Sequence, residues 1–101
     1  MDPERISDFN ISDVVQATAG RDRGKLFYVI GEENDHLLLA NGKDRLLDRP
    51  KRKKCKHVQK VLRSETRVAD KLRAGDKVLN SELRRDLAFH AGQMQENNLG
   101  G

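Results

Sequence analysis

The stretch Val14–Ile30, VVQATAGRDRGKLFYVI, decides how the chain is read. Val15 and Ala17 alternate with Gln16 and Thr18, the period of two that marks a strand with one buried face. Gly20-Arg21-Asp22-Arg23-Gly24-Lys25 interrupts it. Two glycines bracket three charged residues, and glycine reaches the backbone angles that a sharp reversal requires. Leu26-Phe27-Tyr28-Val29-Ile30 then resumes in aromatic and β-branched residues, which favour strands. The expected unit is strand, turn, strand, with Arg21, Arg23 and Lys25 at the tip. Such a tip can press its cations and backbone N–H groups against phosphates. Adjacent strand residues point to opposite faces, so of Phe27 and Tyr28 one is expected in the core and the other outside.

Working outward, Met1–Asn10 is expected to be irregular, with Ile6, Phe9 and Ile11 tacking it onto the strands. The first strand is expected over Ile11–Thr18, the second over Lys25–Gly31, and a polar turn over Gly31–Asp35. His36–Ala40 reads as a third strand. Asn41-Gly42 is a hairpin signal because both residues accept positive φ, which places the fourth strand at Lys43–Leu47. Pro50 makes Asp48–Lys54 a loop or an edge, and the last strand is expected over Lys56–Leu62. Five short strands with tight turns read as a small SH3-like barrel over 11–63. After it, Ser64 reads as the N-cap of a helix carrying Val68 and Leu72 on one face and ending at Ala74-Gly75-Asp76. Asn80 or Ser81 caps a second helix from about Glu82 to Met94. Leu83, Leu87, Ala91 and Met94 form its apolar stripe, while Arg84, Arg85 and Asp86 face away. The expected fold is mainly β with C-terminal α. It has an irregular segment over 1–10, the barrel, one or two helices packed on it over 64–95, and a flexible tail over 96–101.

Charge is unevenly spread over this plan. The chain of 101 residues has a net charge of +4, but Asn41–Arg63 alone carries +8 and the remainder −4. One basic segment on an otherwise mildly acidic molecule favours a polyanion docked in a single orientation. Lys43, Arg45, Arg49, Lys51, Arg52, Lys53, Lys54 and Lys56 are candidate phosphate contacts, each releasing a counterion when it neutralises a phosphate. His57 is a candidate for stacking or hydrogen bonding beside Lys56. Lys51-Arg52-Lys53-Lys54 also fits the loose pattern of a nuclear localisation signal.

Val15, Gly20, Arg21, Asp22, Arg23, Gly24, Lys25, Val29 and Ile30 together resemble the KOW motif of RNA-binding ribosomal proteins and transcription elongation factors. Gly24 matches the family's most constant glycine. Leu26-Phe27 stand where many members carry another glycine. Lys54-Cys55-Lys56-His57-Val58-Gln59 resembles the lysine-histidine-aliphatic strand that closes the barrel in archaeal and eukaryotic large-subunit ribosomal proteins with one N-terminal KOW barrel. The resemblance spans roughly 11–62. It implies a non-enzymatic ribosomal or ribosome-associated protein of translation, binding the phosphate backbone of structured ribosomal RNA through a turn shaped by Gly20 and Gly24. The alternative it leaves open is a KOW-type protein-interaction module acting in transcription or translation, with ribosomal proteins or RNA polymerase as partner.

Other chemistries find little support. Cys55 has no second cysteine for a disulfide, no histidine pair at metal-ligand spacing, and no base with an orienting group. The lone cysteine and the absence of an apolar leader or membrane-length run lead us to expect a cytoplasmic protein. Three residues, not four, separate the turn glycines and Leu26 follows the lysine, so the turn is not a Walker loop. His36 and His90 read as surface or helix-edge residues. No cofactor, metal, membrane or small-molecule substrate is expected. With three phenylalanines and one tyrosine, the chain is not a stacking platform for single strands, and structured RNA fits better.

Overall fold

A computed structural model describes residues 9–99, with side chains described as far as Met94. The chain forms β1 (Asp13–Ala17), β2 (Leu26–Glu33), β3 (His36–Ala40), β4 (Lys51–Lys54), a one-turn 3-10 helix (Cys55–His57), β5 (Val58–Arg63), α1 (Arg67–Ala74) and α2 (Asn80–Leu99). The strands make one antiparallel sheet in the order β4-β3-β2-β1-β5, and the helices follow it. Ile6 lies outside the described residues. Phe9 packs against the core, whereas Ile11 is exposed.

Both faces of the sheet are covered, which explains its pairs of adjacent buried residues. Val15, Phe27, Val29, Leu37, Leu39 and Val58 gather on one face. Val14, Tyr28 and Ala40 lie on the other, beneath Leu83 and Leu87 of α2. The register enforces this split: Val14 pairs with Tyr28 and Val15 with Phe27. Phe27 and Tyr28 are therefore both fully buried, and the expectation that one is exposed fails because α2 caps the second face. Burying a leucine such as Leu83 contributes about 1.5–3 kcal/mol, so α2 is an integral wall and not an appendage.

The strand that pairs with β3 is not Lys43–Leu47. It is the lysine run itself: Leu37 pairs with Lys53 and Leu39 with Lys51. Asn41-Gly42 does not make a two-residue hairpin. The Asn41 side chain instead accepts from the Lys43 and Arg45 amides, folding Asn41–Arg45 into its own turn. Gly42 is buried with φ 76, and a Cβ there would run into the Asn80 carbonyl. Packing against α2, not hairpin pairing, is what requires this glycine. β2 runs on through Gly31 to Glu33 with a bulge between Val29 and Gly31, so the turn shrinks to Asn34-Asp35. β5 starts at Val58 because Cys55–His57 is helical.

Thr66, not Ser64, caps α1, accepting from the Ala69 amide at 3.2 Å. Gly75 ends α1 in the left-handed conformation, as its position predicts. α2 is longer than expected at both ends. Leu79 precedes it, and the Glu82 carboxylate accepts from the Leu79 amide, closing one half of a capping box.

Candidate nucleic-acid interface

Four contacts draw separate basic segments to the Gly20–Gly24 turn. Within the turn, Gly20 and Gly24 both have positive φ, and the Gly24 amide donates to Ala17 O at 2.8 Å. The Lys53 ammonium of β4 reaches across to the Ala19 carbonyl at 2.7 Å. The Thr18 amide donates to His57 O at 2.9 Å, tying in the 3-10 helix. Arg45 Nη2 donates to Asp22 Oδ2 at 3.0 Å, and Lys25 Nζ to Asp44 Oδ2 at 2.8 Å, tying in the Asn41–Arg45 turn. Segments 19 to 39 residues apart in sequence are thus tied to one turn.

Asp22 organises this end. Nothing in the neighbouring sequence marks it for burial. It is nonetheless only 3% exposed, held between Arg45 and, at 3.6 Å, Lys25. A buried carboxylate needs such partners, because an unpaired charge out of water is costly. The Asp44 hydrogen bond is also the main reason the Lys25 ammonium sits above its ordinary pKa, and the same bond holds the Asp44 carboxyl below its own.

The predicted phosphate contacts therefore divide. Lys25, Arg45 and Lys53 hold the interface together through internal bonds. Arg52 turns to the other face of β4 and pairs with Glu33 at 3.1 Å. Lys54 sits on that same outward face, opposite His36. Arg21, Arg23, Lys43, Arg49 and Lys56 are exposed and have no ion pair among the described residues. Lys51 is half-buried on the Lys53 side of β4, and His57 is half-buried in the 3-10 helix. Cys55 packs partly against the inner core, in a small side-chain role.

A second polar cluster lies between sheet and helices. The Tyr28 hydroxyl donates to Asp86, lies 2.7 Å from Ser64 Oγ and 3.2 Å from His90 Nε2. Thr66 Oγ1 donates to Asp86 Oδ2 at 2.8 Å, and Ser64 Oγ is 3.0 Å from His90 Nε2. His90 is 6% exposed, so it is no surface residue, and Asp86 faces inward, not away. Burial, and then the Asp86 bond, push the Tyr28 hydroxyl up to about 12. Serine, histidine and aspartate meet here, but not as a relay. Ser64 and Asp86 both face Nε2, whereas a nucleophile–base–orienter array uses opposite ring nitrogens. Ser64 is also fully buried, out of reach of a substrate. The cluster ties β2, the β5–α1 link and α2 together. The only trace of it in the sequence is the helical spacing of Asp86 and His90, four apart.

No helix among the described residues is long and apolar enough to cross a membrane. No protein-family model matches the chain, and no curated protein matches it in sequence.

Proposed function

We propose that this chain is a non-enzymatic RNA-binding module of the KOW type, gripping the phosphate backbone of structured RNA as a ribosomal or ribosome-associated component. The tying of the segments that carry Arg21, Arg23, Lys43, Lys51 and Lys56 to one glycine turn, through Lys53, His57, Arg45 and Lys25, carries the reading. Phosphate contacts position a protein without reading sequence, and exposed cations on a rigid frame suit that task. An SH3-like barrel is the frame we infer. The sheet order, the bulged β2 and the 3-10 helix linking the two edge strands support it. So does the Lys53–Ala19 bond, which spans from the β4 edge to the β1–β2 turn.

Filter binding of a structured ribosomal RNA fragment at rising salt tests this. The logarithm of affinity should fall linearly with the logarithm of salt, with a slope steeper than about −3. Binding that is undetectable even at low salt ends the proposal. A second reading, a protein-docking module, draws on Phe89, which is 53% exposed beside a cleft lined by Val68, Glu82 and Arg85. Retention of a ribosomal protein or RNA polymerase by the full chain, lost on Phe89→Ala, would favour it.

A further inference from the structure

We propose that the cleft between the Asn41–Arg45 turn and α2 receives one unpaired base of the bound RNA, with Arg84 as its stacking plane. This rests on the RNA reading above. The cleft is an open groove of 420 Å³ that reaches Lys25, next to the glycine turn. Leu26, Leu87, Ala88 and Ala91 make an apolar floor, and Lys25, Lys43 and Arg84 stand around it with Asn41 and Asp44, the one acid on a rim of three cations. The two chemistries call for a ligand with a flat apolar body and an anion a sugar's width away, which a nucleotide supplies within a single residue.

Arg84 is preorganised. Its Nη1 donates to the Gly42 carbonyl at 2.7 Å, and the Leu47 amide donates to Asn80 Oδ1 at 2.9 Å, locking the turn onto α2. A guanidinium held by one edge still offers its face, and RNA-binding proteins stack unpaired bases on such faces. Lys25 is already engaged by Asp44, which leaves Lys43 to meet the phosphate. Ala88 and Ala91 keep the cleft open where any larger side chain would fill it. An apolar peptide side chain would satisfy the floor but leave Lys43 without its anion, so the nucleotide is the better occupant. A base inside a duplex is already stacked and cannot enter.

The test compares a hairpin RNA, carrying a fluorescent adenine analogue in its loop, with a fully paired duplex of equal phosphate count. The full chain should bind the hairpin about tenfold more tightly, the size of one stacked base, and change the analogue's fluorescence. Ala88→Gln blocks the floor without changing charge at an exposed helix position, and Arg84→Lys keeps the charge but removes the plane. Each should abolish the hairpin preference while leaving duplex affinity as it was. Duplex binding with no hairpin preference overturns the cleft assignment and leaves the RNA reading standing. So does a preference that survives both substitutions, or an acidic peptide whose binding, and not the hairpin's, the two substitutions remove. Failure to bind either RNA removes both proposals together.

Discussion

The two polar clusters of this molecule are built from similar groups and solve opposite problems. Around Tyr28, the hydroxyls of Tyr28, Ser64 and Thr66 bond within the protein to one another, to His90 Nε2 and to Asp86, which accepts from two of them. Around Asp22, two carboxylates hold Lys25 and Arg45, and further cations are left over at the surface. A closed cluster spends its hydrogen bonds on joining elements. An open one uses a few to aim the rest at something outside. The difference separates scaffold from interface more clearly than residue type does, since histidine, aspartate and serine sit in the cluster that does the joining.

The largest effect should come from opening the closed cluster. Asp86→Ala removes the acceptor shared by the buried Tyr28 hydroxyl and the half-buried Thr66 hydroxyl and should cost about 3 kcal/mol in urea unfolding, while the basic face keeps its RNA affinity per folded molecule. Titration should come next. Tyr28 holds its proton more tightly folded than unfolded, so its stabilisation is complete below pH 10 and is lost as pH rises towards about 12. The fall should amount to about 2–3 kcal/mol, and Tyr28→Phe should flatten it; coincident curves for the two proteins would mean the hydroxyl is not the tie. Asp22→Asn should cost less, about 1–2 kcal/mol. Although it adds positive charge, it should weaken RNA binding by releasing Arg45; stronger binding would reduce the open cluster to bulk electrostatics. The smallest effect on stability, within about 0.5 kcal/mol, belongs to Arg21→Ala with Arg23→Ala. That pair should nonetheless make the salt slope of RNA binding shallower by about one to two units.

Local signals read well where local physics decides. The alternation of Val15 and Ala17, the paired glycines at 20 and 24, and the stop at Gly75 are settled by neighbours in sequence, and the structure has them in place. The misreadings share a cause in distant packing. Lysine and arginine are poor strand formers and Pro50 reads as a breaker, so the run around it reads as a loop or an edge, with the fourth strand placed earlier at Lys43–Leu47; β3 needs a partner and takes Lys51–Lys54 as that edge. Asn41-Gly42 signals a hairpin by its torsions alone, yet the glycine is there to admit the Asn80 carbonyl nearly forty residues on. One of Phe27 and Tyr28, together with Asp86 and His90, is expected outward because nothing near them in sequence shows that α2 folds back over the sheet. For the candidate interface, the list of cations was legible but not which would be tied down, since that depended on Asp22 being buried.

β4 has one further consequence. A strand at the margin of a sheet presents unpaired amides and carbonyls to any passing chain, and natural sheets guard that margin with lysine. Here the guard is four cations long, so two copies approaching edge to edge repel each other. Neutralising Arg52 and Lys54 on the outward face would weaken that protection while leaving the Lys53–Ala19 tie in place, and self-association would be the first symptom.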